Sequence, residues 1–268
     1  MMKMPTTAIL DGDMVAHRAA YITQDIEDLP MVIRQIIRAW TPPGVTHIFV
    51  ARSAERADNY RRPVWADYKG HRDKIKMPED QRARLEYAKE LIAEDDMHCK
   101  FVPTLEADDL MGIAASAGKA IAVTLDKDLL SCPGWHYRPE YSYKGKGGVK
   151  VTKEAELIFQ PEWKADFMFY QQWLMGDMTD NYPGIAKMGP KKSEKLLASI
   201  HPRYWTAATL AAYEKAGYDE EYTLSMARVA RILRVGEWTP EEGIALFDPF
   251  KGGVQVGSYI EDSKKRSP

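Results

Sequence analysis

Cysteine is nearly absent: Cys99 and Cys132 are the only two in 268 residues. They build neither a disulfide framework nor a zinc-binding spacing, so both are expected as reduced, partly buried thiols. Long apolar runs are missing as well. No window approaches about 18 uninterrupted apolar residues, which argues against a membrane-spanning helix, and the opening MMKMPTT is too polar for a secretory leader. The expectation is a cytoplasmic protein with no membrane partner. Internal repeats and low-complexity blocks are also missing. Neither sign of charge prevails, because 37 basic residues against 39 acidic ones give a formal charge of −2. That sum is uninformative until resolved by position.

What is present fits a globular chain: 45% of residues are apolar and 28% charged, a balance unlike that of disordered or membrane proteins. The length suggests a main domain with a smaller appendage. Charge then separates along the chain. Residues 52–76 carry Arg52, Arg56, Arg61, Arg62, Lys69, Arg72, Lys74 and Lys76 against Glu55, Asp58, Asp67 and Asp73. Residues 187–195 carry Lys187, Lys191, Lys192 and Lys195 against Glu194 alone. Acids gather elsewhere in tight knots: EADD at 106–109, DKD at 126–128 and GDMTD at 176–180. A polyanion held by the basic stretches and a divalent metal held by the acidic knots would explain both.

Periodicity supplies the fold class. TTAILDGD is a buried strand ending in a polar turn, and helical patterns follow at 14–22 and 30–40, the second stopped by TPPG. VTHIFVA is a second strand. Residues 52–78 have little apolar periodicity and are punctuated by Pro63, Gly70 and Pro78, so they form a long excursion. Acids in the first turn of MPEDQRARLEYAKELIAEDD, with Leu85, Ala88, Leu91 and Ile92 at helical spacing, give an amphipathic helix. CKFVP reads as a third strand, EADDLMGIAASAG as a helix ended by Gly118, and KAIAVTLDKD as a fourth strand running into carboxylates. Alternating helices and nearly all-apolar strands predict an α/β fold with a mostly parallel central sheet flanked by helices. From about residue 160 the pattern turns helical, through KADFMFYQQWLMGD, PKKSEKLLASI and DEEYTLSMARVARILRV. The expected division is a core over 1–160, including an excursion at 52–80, and a helical region over 161–268.

In such sheets reactive groups collect beyond the carboxyl ends of the strands, where Asp11, Asp126 and Asp128 fall. Glu106 and Asp109 share a helix face three residues apart, with Asp108 beside them. In an extended segment Asp126 and Asp128 point the same way, and Asp177 and Asp180 share a face if their helix continues. Each knot has a plain alternative: a solvated helix start for EADD, a capping turn for DKD, and a helix end for GDMTD. Together they are harder to dismiss, since like charges near a surface repel by about 4 kcal/mol per pair. Lys127 is the only cation within these motifs. Oxygen donors without His or Cys select Mg²⁺ or Mn²⁺, and seven or eight acids exceed what one octahedral ion uses. Two ions clamping a phosphodiester would use the excess. AILDGDMV and GDMTDN also resemble haloacid-dehalogenase-like phosphatases, in which Asp11 would be a covalent nucleophile and Asp13 its acid/base partner. That resemblance leaves EADD, DKD and the basic excursion without a role.

Taken in order, LDGD, YKGHR, EADDLMG, TLDKDL and GDMTDNYPGIAKMGPKKSEKLL resemble the 5′ nuclease family, which includes flap endonucleases, the 5′ nuclease domain of bacterial DNA polymerases and the short phage 5′ to 3′ exonucleases. SMARVARILRV together with GDMTDNYPGI resembles the short phage exonucleases in particular. The resemblance implies that Asp11, Glu106, Asp108, Asp109, Asp126 and Asp128 bind metal, with Asp177 and Asp180 completing a second site. YKGHR would form the base of a helical arch, with Lys69 and Arg72 as catalytic cations at the scissile phosphate and Tyr68 stacking a terminal base. Arg61 and Arg62 join the implied DNA contacts. PGIAKMGPKKSEKLL would be a helix-hairpin-helix element contacting a duplex phosphate through Gly184, Lys187, Gly189, Lys191 and Lys192, with a K⁺ ion in its loop. The implied activity is metal-dependent 5′ to 3′ exonucleolytic hydrolysis by a monomer, acting on DNA 5′ ends or flaps. Flap endonuclease and RNase H-type cleavage of RNA/DNA hybrids fall within the same range, as do replication proteins as partners. A non-catalytic, structure-specific DNA-binding protein is the alternative. It draws on one departure: Ala51 and Arg52 stand where the family usually has a further metal-binding Asp, leaving Glu55 or Asp58 as substitutes. Asp13 lies outside the core motif.

Overall fold

The computed structural model describes residues 3–74, 76–95, 97–144, 148 and 150–250. Elements follow the chain as β1 (Thr7–Asp11), α1 (Gly12–Ile22), α2 (Leu29–Trp40), β2 (His47–Arg52), α3 (Arg61–Val64), α4 (Glu79–Ala93), β3 (Cys99–Phe101), α5 (Ala107–Ser116), β4 (Ile121–Val123) and β5 (Gly134–Arg138). Then come β6 (Tyr141–Lys144), β7 (Lys150–Lys153), β8 (Glu156–Gln160), α6 (Glu162–Met175), α7 (Pro190–Ala198), α8 (Trp205–Lys215) and α9 (Glu220–Ala230). None of the described helices is long and apolar enough to cross a membrane.

Two compact units share the chain. One comprises residues 1–59, 76–162 and 233–238; the other comprises 60–75, 163–232 and 239–268. The single boundary expected near 160 is therefore replaced by interleaving. Residues 60–75, expected within the α/β core, cluster with the helical unit because Arg61 is tied there. Its guanidinium donates to the carbonyls of Val229 (3.2 Å) and Arg231 (2.7 Å) at the end of α9. Residues 233–238 return to the first unit, where Leu233 N–H donates to Asp109 (3.1 Å) and Arg234 to the Ser131 carbonyl (2.6 Å).

The first unit is an α/β layer structure. Its six-stranded sheet has the order β3-β2-β1-β4-β5-β8 and is parallel except for antiparallel β8. Ala8, Leu10, Val50, Ile121 and Val123 face a core shared with α1, α2 and α4. Side chains alternate along a strand, so Ile9 turns to the other face. There α5, which packs on β1, β2, β4 and β5, buries Met111 and Ala115. Apolar strands buried on both faces are what a parallel sheet requires.

β1 passes into α1 with no intervening turn, unlike the expected polar turn. Gly12 makes this junction feasible: a Cβ there would lie 2.4 Å from the Ala51 carbonyl oxygen and 2.8 Å from Val50 Cγ1. The fourth strand also differs from expectation, since β4 ends at Val123 and residues 128–131 form a 3₁₀ turn. Asp126 and Asp128 thus leave the extended conformation, and the Asp126 carboxylate accepts the Asp128 N–H at 2.8 Å. Four of these strands are not expected from the sequence: β5 and β8 of the central sheet, and the pair β6 and β7, which form a separate two-stranded sheet.

The second unit packs Phe169, Trp173 and Leu174 of α6 with Leu197 of α7, Trp205 and Tyr213 of α8, and Met226 of α9. Two glycines close the loop after α6. Gly176 and Gly184 both have positive φ (+71° and +59°), and a Cβ on Gly184 would lie 2.3 Å from the Gly176 nitrogen. Asp177 and Tyr182 exchange backbone hydrogen bonds across this loop, at 2.8 and 3.1 Å.

Candidate active site

Asp11 anchors the acidic end of the sheet. It is the last residue of β1 and the N-cap of α1, accepting the Met14 N–H at 2.9 Å. The Thr124 hydroxyl donates to its other oxygen, also at 2.9 Å. The side chain is buried, and burial first, then the Asp13 carboxylate, push its pKa from 3.8 up to about 7. Asp126 adds to the rise, while the Met14 and Thr124 hydrogen bonds oppose it. Three carboxylates therefore share one electrostatic environment at the end of β1 and the turn after β4.

Asp13, which lies outside the nuclease core motif, and Ser53, which has no expected role, enlarge that environment. The Ser53 N–H donates to Asp13 (3.4 Å), and the Ser53 hydroxyl accepts the Ala107 N–H at the start of α5 (2.9 Å). An ST-type contact across 54 residues has no local signal. At the position where the family usually has a further metal-binding Asp, Ala51 pairs directly with Asp11 in the sheet and is fully buried. Glu55 and Asp58, its suggested substitutes, are exposed.

The EADD acids separate in role. Glu106 is the buried N-cap residue of α5, and Asp108 lies half-buried in the first turn. Asp109 is 0% exposed, with one oxygen accepting the Glu106 N–H (3.1 Å) and the other the Leu233 N–H (3.1 Å). Each Asp109 oxygen accepts a backbone donor, so the carboxylate caps a helix and pins a returning segment.

In the second unit a different cluster forms. Asp180 accepts from the Arg72 guanidinium (2.7 Å) and the Tyr68 hydroxyl (3.1 Å), and Lys69 Nζ lies 3.6 Å away. Lys69 N–H donates to the Asp180 carbonyl (2.8 Å), and Trp65 Nε1 to the Asn181 carbonyl (3.0 Å). Lys69 and Arg72 are thus together, and Asp180 sits between them. A carboxylate already balanced by two cations attracts a metal weakly, so Asp180 is not presented as a ligand for a second ion. Asp177 instead accepts the Thr179 N–H at 2.6 Å.

Two implied DNA contacts are corrected by burial. Tyr68 is 3% exposed within the aromatic core of the second unit and has no face for a base. Arg61 is 2% exposed, and its guanidinium is spent on the carbonyls that end α9. Arg62 is half-buried, donating to the Ala66 carbonyl at 3.4 Å.

The α6–loop–α7 segment holds the remaining basic residues. Gly184 is buried against Gly176 and its carbonyl accepts the Tyr222 hydroxyl (2.7 Å), so it closes the loop and does not face a phosphate. Gly189 is the N-cap residue of α7, Lys187 has φ +61°, and Lys191 is exposed. Lys192 donates to the Lys187 carbonyl at 3.0 Å.

The fit of a divalent ion was the central expectation. Among the described residues, no group of three or more His, Cys, Asp or Glu side chains is close enough to hold an ion. Within the first unit Asp109 and Asp126 accept backbone N–H groups, and within the second Asp180 pairs with Arg72. The donor chemistry still suits a hard cation. Asp11, Asp13 and Asp126 are all oxygen donors, the latter two disfavour the charge of Asp11, and Mg²⁺ characteristically binds through one or two carboxylates while keeping its waters.

Residues 6–154 match the family model described as 5′-3′ exonuclease, N-terminal resolvase-like domain. DNA polymerase I of Lactococcus lactis subsp. cremoris is 31% identical over 177 residues, covering 62% of this chain and 20% of that protein. The chain thus spans about a fifth of the length of that relative. The exonuclease of Escherichia phage T7 is 26% identical over 216 residues, 67% of each chain. A flap endonuclease of bacteriophage T5, solved as a pseudo-enzyme-product complex with DNA and metal ions, has a TM-score of 0.52 at 13% identity, over 84% of this chain and 88% of that one. This likeness shows a shared fold. The match encloses LDGD, EADD and DKD in one family, so the phosphatase resemblance of AILDGDMV falls away. Spanning more than half of the 268 residues, the match shows that the chain belongs to the 5′-3′ exonuclease family.

Proposed function

We propose that this chain hydrolyses phosphodiesters at the 5′ ends of DNA in a reaction that depends on divalent metal. The observation carrying this reading is the position of Asp11 at the carboxyl end of the central parallel sheet, its pKa pushed to about 7 by burial and by Asp13 and Asp126. A buried carboxylate raised in this way is short of positive charge, and a hard cation supplies it. Asp11 with one of its neighbours Asp13 and Asp126 would hold the ion through one or two carboxylates, with Glu106, Asp108 and Asp128 contacting its waters. Mg²⁺ or Mn²⁺ bound there would neutralise phosphate charge and make water a competent nucleophile at neutral pH. Thr124 and the Met14 N–H orient the Asp11 oxygens for that task. Lys69 and Arg72 contribute phosphate contacts, and Lys187, Lys191 and Lys192 contact a duplex backbone as charges. Flap cleavage, activity on RNA/DNA hybrids, a second ion, a loop K⁺, monomeric action in the cytoplasm and replication partners belong to this proposal as finer points.

The test is digestion of a 5′-labelled flap DNA with and without Mg²⁺, products read at nucleotide resolution. Metal-dependent release of short 5′ products that is lost in Asp11→Asn supports the reading. Ala51 beside Asp11 favours the second reading, a DNA-binding protein without catalysis. Binding of the same flap with no cut at any Mg²⁺ or Mn²⁺ concentration would establish it instead.

A further inference from the structure

The β6–β7 hairpin has no part in the site above. Tyr141 and Tyr143 lie two residues apart on β6, so they share one face. Their rings stack, with centroids 5.9 Å apart and planes inclined by 23°. Tyr143 is 45% exposed. The register sets Lys153 opposite Tyr141 and Val151 opposite Tyr143, which adds a cation beside the aromatic pair. On the other face Ser142 and Thr152 hydrogen-bond across the strands at 2.9 Å, fixing that register. Lys150 and Lys153 are exposed. From Tyr141 to Lys153 the sequence YSYKGKGGVKVTK contains lysines at 144, 146, 150 and 153 and no acid, although Glu140 and Glu154 flank it.

A stacked aromatic pair with Tyr143 exposed, beside the exposed Lys150 and Lys153, matches the recognition chemistry of an unpaired nucleic-acid strand. Ring faces accept bases of any sequence, and ammonium groups track the phosphates. A duplex would use only the charge, since its bases are already stacked on one another. An acidic peptide would likewise leave the rings without a partner. We infer that the Tyr141–Tyr143 face of the hairpin, with Lys153 beside it, binds single-stranded DNA, and so engages an unpaired segment of the substrate. The inference deepens the proposed function and rests on it.

The test uses the full chain without divalent metal, titrated with fluorescent oligo(dT) and, separately, with a blunt DNA duplex. Tyr141→Ala with Tyr143→Ala should weaken oligo(dT) binding about tenfold and leave duplex binding unchanged, while Tyr→Phe at both positions restores affinity. Lys153→Ala should reduce the salt dependence of oligo(dT) binding by a slope of about 0.7. Tyr143→Ser alone, in a half-exposed position, guards against a folding defect in the double variant. Unchanged oligo(dT) affinity in both Tyr variants, or equal losses on single strand and duplex, overturns the inference. Displacement of oligo(dT) by poly-glutamate of equal charge and at equal concentration also overturns it, in favour of an acidic peptide. Digestion of flap DNA with Mg²⁺, run in parallel, separates failure of this inference from failure of the proposed nuclease.

Discussion

Arg72 donates to Asp180 at 2.7 Å, so a cation assigned from sequence to the substrate and an acid assigned to metal are each other's partners. With Tyr68 and Lys69 the two form a clasp between the 60–75 segment and the loop after α6. A phosphate approaching Lys69 and Arg72 competes with Asp180 for the same donors.

Asp180→Asn should therefore act in two directions. Loss of the ion pair costs about 1 kcal/mol of stability, because both side chains are partly solvated and the pair is screened. Freed Lys69 and Arg72 should at the same time bind DNA more tightly. Urea unfolding and DNA titration on one variant check both parts, and a change in stability alone would mean the clasp does not compete with phosphate.

Removal of metal should expose the burden carried by Asp11. Its folded pKa is raised from 3.8 to about 7, so the protonated carboxyl is favoured in the native state and stability falls as pH rises through that window. The loss is complete above pH 7 and amounts to about 4 kcal/mol. Asp11→Asn should raise the melting temperature at pH 8 without metal and shrink the gain that Mg²⁺ gives the wild type. Calorimetry at pH 5 and pH 8 measures it, and equal melting temperatures for variant and wild type at pH 8 would contradict the assignment.

His136 gives the opposite slope. Buried in β5, with a ring nitrogen donating to the Cys132 carbonyl at 2.9 Å, it has its pKa lowered by burial from 6.5 to about 4. The unfolded chain takes up the proton first, so stability is intact above pH 6.5 and is lost as pH falls toward 4, by about 3 kcal/mol. Replacing the ring by His136→Gln should flatten urea midpoints across that interval.

Asp109 distinguishes a cap from a ligand. Asp109→Ala leaves the Glu106 and Leu233 amides without acceptors and should cost about 2 to 4 kcal/mol. Mg²⁺ affinity, read by isothermal calorimetry on the folded variant, should fall by no more than about tenfold, the low end for a residue outside the ligands. A large fall in affinity would restore Asp109 to the metal ligands.

Gly184→Ala tests the loop after α6. Its Cβ would meet backbone at 2.3 Å while φ is +59°, so neither shift nor rotation accommodates it. A loss of more than about 3 kcal/mol is expected, visible as a lower urea midpoint.

The sheet was legible where strands are all apolar and helices amphipathic, as in β1, β2, α2 and α4. β5 was missed because GWHYR buries a histidine among aromatics and shows no run of aliphatic residues. The acids were legible as residue types and misread as directions. What turns Asp109 inward is an amide 124 positions away, and what holds Asp180 is a guanidinium 108 positions away. Gly12 looks like half of a turn in the string LDGD, whereas its need is set by Ala51 on the neighbouring strand. Residue type is local information, while the atom that satisfies a carboxylate is not.

Interleaving has a practical corollary for anyone trimming this polypeptide. The backbone passes from one unit to the other five times, at 59/60, 75/76, 162/163, 232/233 and 238/239. A fragment cut at 160 would strand Arg61 without the carbonyls it serves and strip Asp109 of its amide. The halves are not severable modules, and a protease nick near 160 should leave both pieces associated and native on a sizing column.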